Sequence, residues 1–102
     1  MAAVESYETL KGTVQGDLTF HFDVSHDVLY LRLASMQGQE VFGEETSDGF
    51  LLFRNDKDEV AGLTVLDYWK RFGAGRIEEM TLRGLQSSLE TRTADWQQKL
   101  AA

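Results

Sequence analysis

A chain of 102 residues with 42% hydrophobic, 11% aromatic and 26% charged residues is built like one ordinary globular domain, with enough apolar material for a core. It has no cysteine, which excludes disulfide frameworks, thiolate metal sites and cysteine nucleophiles together. Its formal net charge of −7 disfavours nonspecific nucleic-acid binding, which needs a basic footprint to neutralise phosphates; it serves solubility, and any charged partner it meets would be basic.

Met1 to Ser6 lack the basic start and apolar run of a secretion signal, and no stretch is apolar for long enough to span a bilayer, so the expectation is a soluble cytoplasmic protein of prokaryotic type with no membrane partner. Met1 to Gly16 are polar, with Val4, Tyr7, Leu10 and Val14 as anchors at mixed spacing. A helical turn over Ser6 to Lys11 and an extra edge strand both satisfy that spacing. From Asp17 the period becomes two. Leu18, Phe20 and Phe22 share one face, Thr19, His21 and Asp23 the other. Asp23 to Asp27 reads as a hairpin loop, because Asp and Ser side chains bond their own backbone in tight turns.

The second strand, Val28 to Leu33, sets Leu29, Leu31 and Leu33 on one face and Val28, Tyr30 and Arg32 on the other. Glu40 to Glu45 is a weaker, acidic strand whose Gly43 suggests a bulge or an edge. Phe50 to Phe53 is continuously apolar, the pattern of a central strand covered on both sides. After the turn cluster Asn55 to Asp58, a fifth strand runs from Glu59 to about Asp67, with Ala61, Leu63 and Val65 inward. Turns about every ten residues leave no room for parallel crossovers and make sequential strands neighbours. Arg76 to about Lys99 has helical composition, with Leu82, Leu85, Leu89, Trp96 and Leu100 as an apolar stripe.

The predicted fold is therefore α+β: a single domain over residues 1–102, with an antiparallel β-meander of about five strands (17–67) and a long C-terminal helix (76–100) packed on one face. The helix is expected on the face of Leu18, Phe20, Phe22, Leu29, Leu31 and Leu33. The opposite face keeps Val28, Tyr30 and part of Phe50 to Phe53 without cover, which predicts a homodimer built through that face or through helix exchange.

Phe22-Asp23, Asp27-Val28-Leu29-Tyr30-Leu31-Arg32-Leu33, Gly49-Phe50-Leu51-Leu52, Asn55 to Asp58 and Val60 to Asp67 fall in the order and spacing of a known pattern. About half of the chain thereby resembles a family of short prokaryotic proteins catalogued as domain of unknown function 2283. That family reads as aromatic-Asp, a loop, Asp-x-Leu-Tyr-Ile-Arg-Leu, an acidic strand, Gly-Val-Ile-Val, an acidic turn and Val-Gly-Ile-Glu-Ile-Leu. Phe53 departs from the family's usual acid, Asp58 from its usual glycine, and the tail from Gly73 lies outside the shared pattern. The resemblance implies a small β-meander with helical additions and no agreed activity, and some relatives look like partners of small toxin-type proteins.

No motif assigns a catalytic residue, metal or cofactor. His21, Asp23, His26 and Asp27 carry metal-ligating groups around one hairpin, but the loop needs its aspartates for turn geometry alone. Gly73-Ala74-Gly75-Arg76 ahead of a helix makes Arg76 a candidate anion contact, although no βαβ unit surrounds it. Tyr68, Trp69, Lys70, Arg71 and Phe72 mix aromatic area with positive charge and form the candidate interaction surface; Trp69 and Phe72 are better suited to closing the end of the core, with Lys70 and Arg71 left in water. No serine sits in a nucleophile elbow. The functional expectation is a noncatalytic, homodimeric protein-interaction domain, antitoxin-like or regulatory. The alternative is a small-ligand or anion binder, or a minor enzyme, using a pocket between sheet and helix near Arg76.

Overall fold

The computed structural model describes residues 9–73 and 75–101, with side chains to residue 98. Six strands, β1 (Thr9–Gln15), β2 (Leu18–Asp23), β3 (Val28–Leu33), β4 (Val41–Glu45), β5 (Phe50–Asn55) and β6 (Val60–Leu66), are followed by a short helix α1 (Tyr68–Phe72) and a long one, α2 (Leu82–Ala101). All ladders are antiparallel, and the strand order is β1-β2-β3-β6-β5-β4. Two three-stranded meanders thus meet along β3 and β6, so β3 borders the last strand where sequential pairing placed β4 beside it. The β3–β4 link explains this. A 3₁₀ turn at Ala34–Met36 is anchored back on the β1–β2 turn, where the Asp17 carboxylate accepts from Ser35 N–H at 3.0 and 3.1 Å, and that carries the chain away from a tight hairpin.

The sixth strand is β1, and of the two readings open for the N-terminal segment, residues 9–11 are strand; Ser6 to Glu8 lie outside the described residues. Gly12 suits this position because a Cβ there would stand 2.8 Å from the Phe20 ring, its cross-strand partner. β4 is an edge, exposed along its whole length, as its acidity and Gly43 suggest. β5 lies next to that edge and alternates: Phe50 and Leu52 are buried, whereas Leu51 is exposed. The apolar run from Phe50 to Phe53 accordingly has cover on one side only.

The helix-facing side of the sheet holds one row of Leu10, Phe22, Leu29, Val65 and Phe50 and a second of Phe20, Leu31, Leu63 and Leu52. Leu85, Leu89 and Trp96 of α2 pack on them, and burial of each such side chain contributes about 1.5–3 kcal/mol before entropy is subtracted. Trp96 meets Phe50, Tyr68 and Phe72 edge-on, with centroids at 5.3, 6.2 and 5.6 Å. Leu82, placed in the stripe by spacing, is 54% exposed, and Leu100's side chain lies outside the described residues. Thr93 takes an inward position of the stripe, its hydroxyl satisfied by Leu89 O at 2.6 Å.

The long helix begins six residues later than its composition suggests. Ile77–Glu79 is a separate 3₁₀ turn, and Thr81 caps α2 by accepting Gly84 N–H on its hydroxyl at 3.0 Å.

Candidate functional site

The β2–β3 loop is held by side chains. Asp23 accepts from Ser25 Oγ at 2.9 Å and from His26 N–H at 3.3 Å on one oxygen, and its other oxygen meets His26 Nδ1 at 2.9 Å. These bonds, first that of His26 and then that of Ser25, hold the Asp23 carboxyl below its usual range. The trio has the residue types of a hydrolase but not the wiring, because Ser25 Oγ and Asp23 address the same nitrogen of an exposed ring. A relay needs acid and nucleophile on opposite nitrogens.

Asp27 looks elsewhere. Its backbone is left-handed (φ 55°), and its carboxylate reaches α1 to accept Trp69 N–H at 2.6 Å and Lys70 N–H at 3.0 Å, while its carbonyl accepts Tyr68 N–H at 3.2 Å. A residue 42 positions away in sequence therefore caps this helix. His21 shares Asp23's face of the sheet but turns its ring to Tyr30, 5.5 Å away, and makes no bond to the loop. The four residues weighed as metal ligands thus serve three different places, and among the described residues no group of three His, Asp or Glu side chains could hold a metal ion.

The candidate surface from Tyr68 to Phe72 needs correction. Tyr68 and Trp69 are fully or nearly fully buried and belong to the core. α1 is a plug: it turns Tyr68 onto Phe22 and Trp96, and Tyr68 Oη shares a 2.6 Å hydrogen bond with Ser88 Oγ of α2. Burial pushes the Tyr68 hydroxyl above its ordinary pKa, against the opposing effects of Ser88 and Arg92. Lys70 and Arg71 are exposed, with Arg71 lying over the Phe50 and Phe72 rings and donating to Asp48 O at 3.0 Å. Arg76, the candidate anion contact, is exposed and has its guanidinium 3.2 Å from Glu78 and 3.9 Å from Glu79, so an anion there would compete with two carboxylates. Ala74, in the glycine segment before it, lies outside the described residues.

The surface left to act is the face of the sheet away from α2. One row crosses all six strands as Lys11, His21, Tyr30, Thr64, Leu51 and Glu45; the next holds Thr19, Arg32, Gly62, Phe53 and Gly43. Glycines flatten this second row. A Cβ on Gly62 would meet Arg32 Cδ at 2.9 Å and one on Gly43 would meet the Phe53 ring at 2.8 Å, so these side chains lie down over the glycines. Arg32 crosses Gly62 to put its guanidinium 4.7 Å from the Phe53 ring centre, 5.9 Å from that of Tyr30, and donates to Leu31 O at 2.7 Å. Burial lowers its pKa, and among the described residues no carboxylate pairs with it. Arginine stays charged at any ordinary pH, so the face carries a half-buried cation supported mainly by aromatic rings. Leu66 (51% exposed), Leu51 and Val41 add apolar area, and Thr64's hydroxyl is buried beneath its neighbours with no partner. Over Lys11, Thr19, His21, Tyr30 and Arg32 the surface dips into an open depression of about 650 Å³.

The sequence carries one signal for this face, the alternation that leaves Val28, Tyr30 and Arg32 opposite the core set. The way Arg32 and Phe53 lie down over Gly62 and Gly43, and the lack of an acid near Arg32, depend on register across strands and are invisible in local spacing. Two further hollows exist among the described residues: an apolar cleft of about 290 Å³ between Leu18, Leu31, Leu33, Val60 and Trp96, and a more polar one of about 460 Å³ between α1 and α2, lined by Trp69, Glu79, Ser87 and Arg92. No helix is long and apolar enough to cross a membrane among the described residues. A scan against protein-family models found no match, and searches of curated proteins and of solved structures found none either.

Proposed function

We propose that this chain is a noncatalytic protein-interaction domain that self-associates through the uncovered face of its sheet, in an antitoxin-like or regulatory role. The observation that carries this is the make-up of that face: uncovered, crossed by Tyr30, Leu51 and Phe53, and holding Arg32 half-buried without an acid among the described residues. A lone surface leucine is ordinary, but aromatic and aliphatic side chains gathered around a half-buried arginine are the residue types enriched at contacts. Some members of the unknown-function family that the chain resembles look like partners of small toxin-type proteins, which fits the same role. Sedimentation velocity from roughly 10 to 500 µM tests it, this being the range where a small interface operates. The expected result is a shift from the 11.5 kDa monomer towards twice that mass. Replacing Tyr30 and Phe53 together by serine abolishes the shift with the monomer still folded.

One observation favours a second reading, a small-ligand binder. The indole N–H of Trp69 is buried without a partner beside the hollow between α1 and α2, and a ligand bearing an acceptor there would satisfy it. A metabolite panel read by thermal shift checks this; a rise seen in wild type and lost in Trp69→Phe supports it, and a flat panel counts against it.

A further inference from the structure

The uncovered face is polarised. Along its first row Lys11 and His21 stand on β1 and β2, Tyr30, Thr64 and Leu51 occupy the middle, and Glu45 stands on β4 at the opposite edge. Neither Lys11 nor Glu45 makes an ion pair among the described residues, in contrast to Glu44 on the other face of β4, which binds Arg54 at 3.2 Å. The two unpaired charges are of opposite sign and the same height along the strands. Such a face is its own electrostatic complement in one orientation only.

Two sheets packing face to face keep their strands within about 30° of each other, and a two-fold axis between them runs either along the strands or across them. An axis across the strands lays β1 on the partner's β1, setting Lys11 near the partner's Lys11 and Glu45 near the partner's Glu45. An axis along the strands lays β1 on the partner's β4 and β3 on the partner's β6. Opposite charges then meet at both rims.

We propose that the partner of this face is a second copy of the chain, docked about a two-fold axis that runs along the strands between β3 and β6, with Lys11 of each protomer paired to the partner's Glu45. This rests on the self-association proposed above. Tyr30 falls on the partner's Thr64, Leu51 on the partner's His21 and Val28 on the partner's Leu66, which buries the exposed Leu66. The two Arg32 side chains, each lying across its own Gly62, pass one another by their aliphatic stems, with the charged heads over separate Phe53 rings on opposite sides of the axis. Six strands about 4.8 Å apart and six residues of about 3.3 Å each give a face near 24 by 20 Å. Two such faces bury roughly 1,000 Å² before side-chain relief is counted, the lower bound for a specific dimer.

A charge-swap mixing experiment tests the register. Lys11→Glu and Glu45→Lys change exposed residues of edge strands, so both variants keep the wild-type melting temperature. In a homodimer of either one, like charges face each other at both rims, and self-association weakens about tenfold at low salt. In an equimolar mixture each mixed dimer restores two opposite-sign pairs, so the mixture associates as wild type does, and 1 M salt erases the difference. If wild type self-associates but the mixture is no stronger than the separate variants, the register is wrong and the interaction face stands. If wild type sediments as a monomer up to roughly 500 µM, both proposals fall and the face belongs to a different partner.

Discussion

Replacing Asp27 tests whether one carboxylate joins the β2–β3 loop to the helical plug. Its two oxygens hold the Trp69 and Lys70 amides, and its backbone sits at φ 55°. Loss of such a cap costs about 1 to 2 kcal/mol, and alanine in the left-handed region costs about 1 kcal/mol more than asparagine or glycine there. Asp27→Ala should therefore lose about 2 to 3 kcal/mol. Asp27→Gly, which sheds only the cap, should lose about 1 to 2 kcal/mol, and Asp27→Asn, which keeps one acceptor and tolerates the backbone, about 1 kcal/mol or less. For a domain of this size the alanine variant melts about 10 to 15 °C below wild type. Urea unfolding followed by tryptophan fluorescence is the assay, since Trp69 carries one of the capped amides. An alanine variant within about 0.5 kcal/mol of wild type, or a glycine variant no better than alanine, would refute the reasoning.

Tyr68→Phe removes the 2.6 Å bond to Ser88 and should cost about 1 kcal/mol at neutral pH. Because burial raises the Tyr68 pKa in the fold, its contribution is complete below about pH 10 and is lost as pH rises above that; the alkaline fall in melting temperature should be shallower in the phenylalanine variant. Asp23 has the opposite sign. Its lowered pKa means stability present above the ordinary carboxylate value of about 4 and lost as pH falls further, so Asp23→Asn should flatten the acid limb of the melting-temperature profile. Gly62→Ala would place a Cβ 2.5 Å from Leu31 O in the β3–β6 ladder and should cost about 1 to 3 kcal/mol in chemical denaturation.

Period-two alternation makes β2, β3 and β6 legible, the unbroken apolar run Phe50 to Phe53 marks β5, and the acidity around Gly43 marks β4 as an edge. β1 was ambiguous because Leu10 and Val14 straddle Gly12 and a bulge between Thr13 and Gln15 breaks the count. Composition does not mark the start of α2, because the Thr81 hydroxyl stops the helix from extending backwards into Glu78 and Glu79. Tyr68 to Phe72 misled through composition: aromatic and basic residues together suit a contact surface, yet the Asp27 cap turns the first two aromatics inward and leaves only the cations in water. The uncovered face was half visible, since alternation identifies its members, while its charge polarity emerges only when six separate segments are placed in register.

The strand order joins two halves, residues 9–33 and 41–66, by a single ladder from Val28↔Leu66 to Arg32↔Gly62. Within each half the pairings close over short loops and form on the microsecond scale, whereas the central seam must wait for segments some thirty residues apart to find each other. Assembly of this protein is thus a zipping of two prefabricated triplets, and a substitution in the seam should retard refolding far more than one of equal energetic cost at either rim.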